Sequence, residues 1–252
     1  MSMRALITGA SSGIGEAIAR YLHDSGIDLI LVSRNLEKLE QLKKEFGRKT
    51  KIIDMDLSST YNCMSLYEMC KDLKIDIVIN NAGFGDCGFF LETSLDKELN
   101  MIDLNIKAVQ ILTKMFMQDF LKHNRGYILN VASMAAFSPG PLMATYYATK
   151  SYCMHFTEGL SEELKQMGSN VYVGCLCPGP VDTNFNEVAN VKFKIKGMNA
   201  DKVAKYAIDQ MFKQKTIIIP GFKMKCNYFF SKFASENLKS KVIYKFQKKK
   251  ID

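Results

Sequence analysis

No stretch of this 252-residue chain approaches the ~18 consecutive apolar residues of a membrane-spanning helix, so no transmembrane span is expected. Histidine is scarce. His23, His123 and His155 lie far apart, and none has a cysteine or second histidine at ligand spacing, which argues against a zinc site. Seven cysteines are scattered without a C-x-x-C pair. Cys175 and Cys177 fall in a strand-like apolar run, and the cysteines read as reduced packing residues of a cytoplasmic protein. The N-terminus enters a β-prone run almost at once, leaving no room for a signal peptide. Internal repeats and low-complexity linkers are missing too. One catalytic-size domain is expected over residues 1–221, followed by a tail over 222–252.

What is present alternates. Apolar runs at residues 3–8, 29–33, 51–56, 75–79, 127–131, 171–176 and 216–219 read as seven strands. Helical spacing recurs between them, with long helices predicted over 97–123 and 146–167, the second stopped by Gly168. The pattern predicts an α/β fold: a doubly wound, Rossmann-type parallel sheet with helices on both faces. Ligands of such sheets sit beyond the C-terminal strand ends, where strand order reverses.

Two local patterns carry chemistry. Gly9-Ala10-Ser11-Ser12-Gly13-Ile14-Gly15 separates the first strand from a helix, as a dinucleotide-binding turn requires. Glycines let the backbone turn tightly and approach a pyrophosphate at the helix N-terminus. Tyr146 and Lys150 are four residues apart, so on a helix they share a face. A cation beside a phenol favours the phenolate and lowers a pKa that is otherwise near ~10.

These motifs, with Asp56-Leu57, Asn80-Asn81-Ala82-Gly83, Asn105, Ser133 and Pro178-Gly179-Pro180-Val181-Asp182-Thr183, stand in one order over residues 3–220. In that order and at those spacings the chain resembles the short-chain dehydrogenase/reductase family. The resemblance implies reversible hydride transfer between a nicotinamide cofactor and a carbonyl or secondary alcohol. It implies Tyr146 as proton donor and Ser133 as the group that orients the carbonyl. Lys150 would depress the Tyr146 pKa and reach the nicotinamide ribose, and Asn105 would anchor a water for the proton path. For the cofactor it implies the turn residues Gly9, Ser11, Ser12, Gly13, Ile14 and Gly15, then Asp56 and Leu57 at the adenine. Asn80, Asn81, Ala82 and Gly83 would lie along the ribose, and Pro178, Gly179, Val181 and Thr183 would hold the nicotinamide end. Homodimers or homotetramers are common in the family, and the helices over 97–123 and 146–167 resemble its subunit contacts.

The second strand should end at the adenosine ribose, and there the chain has Ser33-Arg34-Asn35 rather than an acid. A guanidinium suits a 2′-phosphate, so NADP(H) is expected over NAD(H). Phe84, Phe89, Phe90, Phe137, Leu142, Met143 and Phe185 flank the motifs and favour an apolar or amphipathic ketone, fatty-acyl, steroid-like or aromatic. Residues 185–197 are expected to form a lid. Residues 223–252 carry nine lysines and two acids, +7 of the chain's +8, interleaved with aromatics. Such a tail can dock on the domain or a second subunit, or lie peripherally on an anionic membrane surface. No nucleic-acid recognition motif accompanies the charge. A silent cofactor sensor is the rival class, and the intact Ser133, Tyr146 and Lys150 set argues against it.

Overall fold

The computed structural model describes residues 2–183, 185, 189 and 197–249. Its seven strands are β1 (Arg4–Thr8), β2 (Asp28–Ser33), β3 (Thr50–Asp54), β4 (Ile77–Asn80), β5 (Tyr127–Val131), β6 (Tyr172–Leu176) and β7 (Ile217–Ile218). They form one parallel sheet in the order β3-β2-β1-β4-β5-β6-β7. The order reverses between β1 and β4, and the crevice lies there.

Strand side chains alternate between two packed layers, as a pleated sheet dictates. Ala5, Ile7, Leu29, Leu31, Ile77 and Ile79 pack with α1 (Gly13–Asp24), α2 (Leu36–Phe46) and a helix later in the chain, α7 (Ala200–Phe212). On the other face, Leu6, Ile30, Val78, Ile128 and Val173 meet α3 (Thr60–Cys70), α5 (Val109–His123) and α6 (Ala144–Gln166). Burying each such side chain stabilises the fold by about 1.5–3 kcal/mol, which is why these strands read as unbroken apolar runs.

The helix ends follow local chemistry. Asn35 Oδ1 accepts from Lys38 N at 3.0 Å to start α2, and Ser59, Ser94 and Asn199 cap α3, α4 (Leu95–Ile102) and α7 in the same way. Gly168 takes a left-handed φ of 64° just past α6 and stops it, as its position predicts. The helix expected over 97–123 begins two residues earlier, at the Ser94 cap. It is interrupted by a π-helical turn over Asp103–Ala108, between α4 and α5. Strand β3 stops two residues short of Asp56, which instead holds the following turn by accepting from Ser58 N and Oγ.

The tail is helical: α8 (Phe222–Ser231) and α9 (Glu236–Lys248). Tyr228 on α8 packs its ring 4.4 Å from that of Phe137, and α9 reaches back so that Gln247 Nε2 donates to Tyr147 Oη at 2.7 Å. The tail therefore docks on the domain.

Candidate active site

A cavity of about 1290 Å³ opens above the C-terminal strand ends. The loop after β1 forms one side. Gly9 and Gly13 both take positive φ, 63° and 57°, and Gly9, Ser11, Ser12, Gly13 and Ile14 line the cavity. Ser12 precedes α1 without capping it through its side chain, so the first-turn amides of α1 carry no side-chain acceptor. An uncapped helix start behind a glycine turn suits a pyrophosphate.

Gly15 was expected to touch the cofactor, but it does not line the cavity. A Cβ there would stand 2.3 Å from Gly9 O and 2.4 Å from Asn81 Nδ2. Gly15 is needed to close the loop on itself. Asn81 ties that loop to β4, donating from Nδ2 to Thr8 O and Gly9 O, while Thr8 Oγ1 accepts from Asn81 N and Ala82 N.

Asn80 was expected along the cofactor ribose. It is the last residue of β4, buried beneath the cavity rather than facing it. Its Nδ2 donates to Asn130 Oδ1 at 2.8 Å and Thr113 Oγ1 at 3.0 Å. Neighbours on an extended chain face opposite ways, so Asn81 lines the cavity and Asn80 straps β4 to β5. Ala82 and Gly83 line the cavity as expected.

At the end of β2, Ser33 and Arg34 line the cavity beside Asp56 and Leu57. Ser33 Oγ lies 2.6 Å from Ser11 Oγ. Arg34 Nη1 stands 3.6 Å from Asp56 Oδ2. Burial pushes the Asp56 carboxyl up, but hydrogen bonds from Ser58 and the Arg34 charge outweigh it and leave the pKa below the ordinary value.

At the far end lie Ser133, Tyr146 and Lys150, with Pro178, Gly179, Val181 and Thr183 along the adjoining wall. Ser133 follows β5 in extended backbone and its Oγ accepts from Ala135 N at 3.1 Å, which fixes the side chain. The Ser133 side chain stands close enough to the Tyr146 hydroxyl to favour its ionised form. Tyr146 and Lys150 are both buried on one face of α6, with Lys150 Nζ 5.9 Å from the Tyr146 ring centroid. The ammonium donates to Val131 O at 2.9 Å.

The expected depression of the Tyr146 pKa by Lys150 is not what this arrangement produces. Burial pushes the phenol well above its ordinary value, and the nearby Ser133 side chain opposes it only in part. Burial lowers the Lys150 pKa for the same reason, because the low-dielectric site disfavours the charged form. Tyr146 is thus held as a neutral, proton-bearing phenol.

Asn105 was expected to anchor a water on the proton path. It does not line the cavity. It is buried in the π turn, where Nδ2 donates to Phe84 O at 2.9 Å and Thr149 Oγ1 at 3.0 Å, and Oδ1 accepts from Phe84 N at 3.1 Å. Its side chain pins the loop after β4 to α6. Thr149 passes the link on by donating to Tyr146 O at 2.8 Å.

Of the aromatic and apolar residues expected around substrate, Phe84, Phe137, Met143 and Phe185 line the cavity. Phe89 and Phe90 are exposed and Leu142 is buried elsewhere. Most of the lid stretch 185–197 lies outside the described residues; Phe185 and Gly197 reach the cavity wall. The residues that sequence reasoning missed are in the tail. Phe222, Met224, Phe230, Leu238, Val242 and Gln247 all line the cavity. Their signal was the i, i+4, i+8 row Leu238, Val242, Phe246, which puts one apolar stripe along α9.

Comparison with known proteins gives this geometry its place. The family model described as short chain dehydrogenase matches residues 3–192. An uncharacterized oxidoreductase of Staphylococcus epidermidis is 33% identical over 210 residues, which are 82% of this chain and 90% of that protein. Among solved structures, a short-chain dehydrogenase from Sphingobium yanoikuyae in complex with NADPH superposes with a TM-score of 0.83 at 28% identity, over 94% of each chain. The bulky-bulky ketone specific alcohol dehydrogenase of Comamonas testosteroni gives 0.77 at 28% identity, over 87% of this chain and 86% of that one. The chain belongs to the short-chain dehydrogenase/reductase family of oxidoreductases, and its cleft fits a nicotinamide dinucleotide.

Proposed function

We propose that the protein is an NADP(H)-dependent oxidoreductase that interconverts a ketone and a secondary alcohol on an apolar or amphipathic molecule. The observation that carries this reading is the pair of neighbouring hydroxyls, Ser133 and Tyr146, set in a largely apolar cavity. A bound nicotinamide would supply or accept the hydride. The chain would do the rest. Ser133 and Tyr146 would orient a carbonyl oxygen between two hydroxyl donors, and Tyr146 Oη would release its proton to that oxygen. Lys150, its ammonium held by the Val131 carbonyl, would offset part of the burial cost of the phenolate left behind. Asn105 would act through position, holding the Phe84 loop and, by way of Thr149, the turn of α6 that carries Tyr146.

Arg34 and the Ser11–Ser33 pair, with no acid at the end of β2, support NADP(H) as the preferred cofactor, and the Sphingobium relative was solved with NADPH. The width of the cavity and its Phe, Met and Leu lining support a bulky ketone, which agrees with the description of the Comamonas relative. A homo-oligomer built on α5 and α6 is part of the proposal; Tyr152 Oη donates to Gln110 Oε1 at 2.6 Å and joins the two helices.

The test is NADPH oxidation with bulky aromatic and steroidal ketones. Tyr146→Phe should lose turnover and still bind NADPH. Turnover retained in that variant would show that the proton comes from elsewhere.

A further inference from the structure

Helix α8 is apolar on two opposite faces. Its inner side sets Met224 and Tyr228 against a buried group that includes Ala136, Cys153 and Cys177. Its outer side sets Phe222, Phe229, Phe230 and Phe233, just past its end, into solvent, with exposures of 80, 57, 68 and 76%. Phe229 stacks edge-on with Phe230 at 5.6 Å and with Phe233 at 5.3 Å, so these rings form one cluster. Packing against the domain buries only one of the two apolar faces, and a contiguous exposed patch marks a surface that something covers.

The surrounding charge says what covers it. Lys223, Lys225, Lys232, Lys241, Lys245, Lys248 and Lys249 are exposed on the same two helices, and Glu236 is the acid there, its carboxylate 2.7 Å from Lys239 Nζ. A second copy would bring the same excess of positive charge against this one, and like charges in contact repel. Phenylalanines with interleaved lysines match an anionic lipid interface, where rings enter the acyl boundary and ammoniums meet headgroups. Phe222, Phe230, Leu238 and Val242 are exposed and also line the cavity, so the apolar surface runs from outside into the site.

We infer that α8 and α9 form an anionic-membrane docking surface that turns the cavity mouth toward the lipid. This inference does not depend on the reductase reading, and its readout needs no turnover.

The test is co-sedimentation of the full chain with vesicles of phosphatidylcholine alone, or of phosphatidylcholine and phosphatidylglycerol at about 7:3. Binding is expected on the anionic vesicles alone, and added salt should weaken it. Lys241→Gln/Lys245→Gln should reduce partitioning by about 25-fold, from roughly fivefold per lysine. Phe229→Ser/Phe233→Ser alters exposed rings outside the cavity lining and should also release the protein, with an unchanged thermal midpoint. Failure to bind anionic vesicles would overturn the inference, and so would binding indifferent to the two phenylalanines. If those substitutions changed the oligomeric state instead, the patch would belong to a second copy.

Discussion

Arg34→Ala should cost NADPH affinity and leave NADH affinity nearly untouched, by an amount the structure lets one work out. Charge-assisted hydrogen bonds to a phosphate contribute about 1.5–3 kcal/mol. Arg34 is not idle beforehand. It pairs with Asp56 at 3.6 Å, with 62% of its side chain exposed, and an exposed pair of that kind is worth about 0–1 kcal/mol. Engaging a 2′-phosphate would loosen that pair, so the net loss on substitution is about 0.5–3 kcal/mol, or roughly 2–160-fold in Kd. Asp56→Asn works the other way. It frees the guanidinium and removes a carboxylate near the incoming phosphate, so NADPH should bind up to about fivefold tighter at low salt. The chain has no tryptophan, so titration by reduced-nicotinamide fluorescence reads both cofactors without energy transfer from tryptophan. An unchanged NADPH Kd in Arg34→Ala, or tighter binding of NADH by the unaltered protein, would refute the reasoning.

The other predictions concern the scaffold of the site and its protons. Gly15→Ala places a methyl 2.3 Å from Gly9 O, and overpacking of about 1–3 kcal/mol should lower the thermal midpoint by roughly 2–12 °C and weaken NADPH binding. Asn130 joins Asn80, Thr113 and Thr157 by bonds of 2.8, 3.3 and 3.0 Å, so Asn130→Ala strands buried polar groups. It should destabilise the fold by about 3–5 kcal/mol in urea unfolding. The raised pKa of buried Tyr146 makes a statement about pH. Above its ordinary value of 10.0 the unfolded chain releases this proton while the folded chain keeps it. Stability from this group is therefore present below pH 10 and is lost as pH rises beyond it. The difference in urea midpoint between the unaltered protein and Tyr146→Phe should shrink between about pH 9 and about pH 11. A constant difference would mean that the phenol is not desolvated.

The sheet was legible in the sequence because a strand buried on both faces admits a polar residue only where it is fully hydrogen-bonded, so β1, β2, β4 and β6 have apolar interiors and β5 is broken only by the bonded Asn130. The cofactor loop and the Tyr146, Lys150 and Ser133 positions were legible because each follows a strand end or shares a helix face. Side-chain direction at a strand terminus was not. Asn80 and Asn81 are adjacent and chemically identical, yet one straps the core and the other reaches the loop. Asn105 was hidden by hydrogen-bond register, since a π turn leaves the apolar spacing of a helix almost intact. Desolvation of Tyr146 was hidden as well. A lysine one turn away looks like an activator in sequence, and depth of burial reverses the direction. For the tail, composition suggested either docking or exposure, and two apolar faces on one helix allow both.

The π turn at Asp103–Ala108 has the character of an inserted residue. Each residue of an ordinary helix advances it by about 100°. Loss of one residue within the turn, such as the exposed Lys107, would return it to regular winding and keep α4 in phase with α5, because the wide turn absorbs one extra residue. Loss of a residue early in α5 would instead turn α4 against the rest of α5 by about that angle. Met101, which packs with Met143 and Tyr146, would swing out of that group. The angular setting of α4, and with it the snugness of the wall behind the reactive phenol, is thus counted out in chain length. A deletion there could detune the site while leaving every side chain around the hydroxyls chemically unchanged.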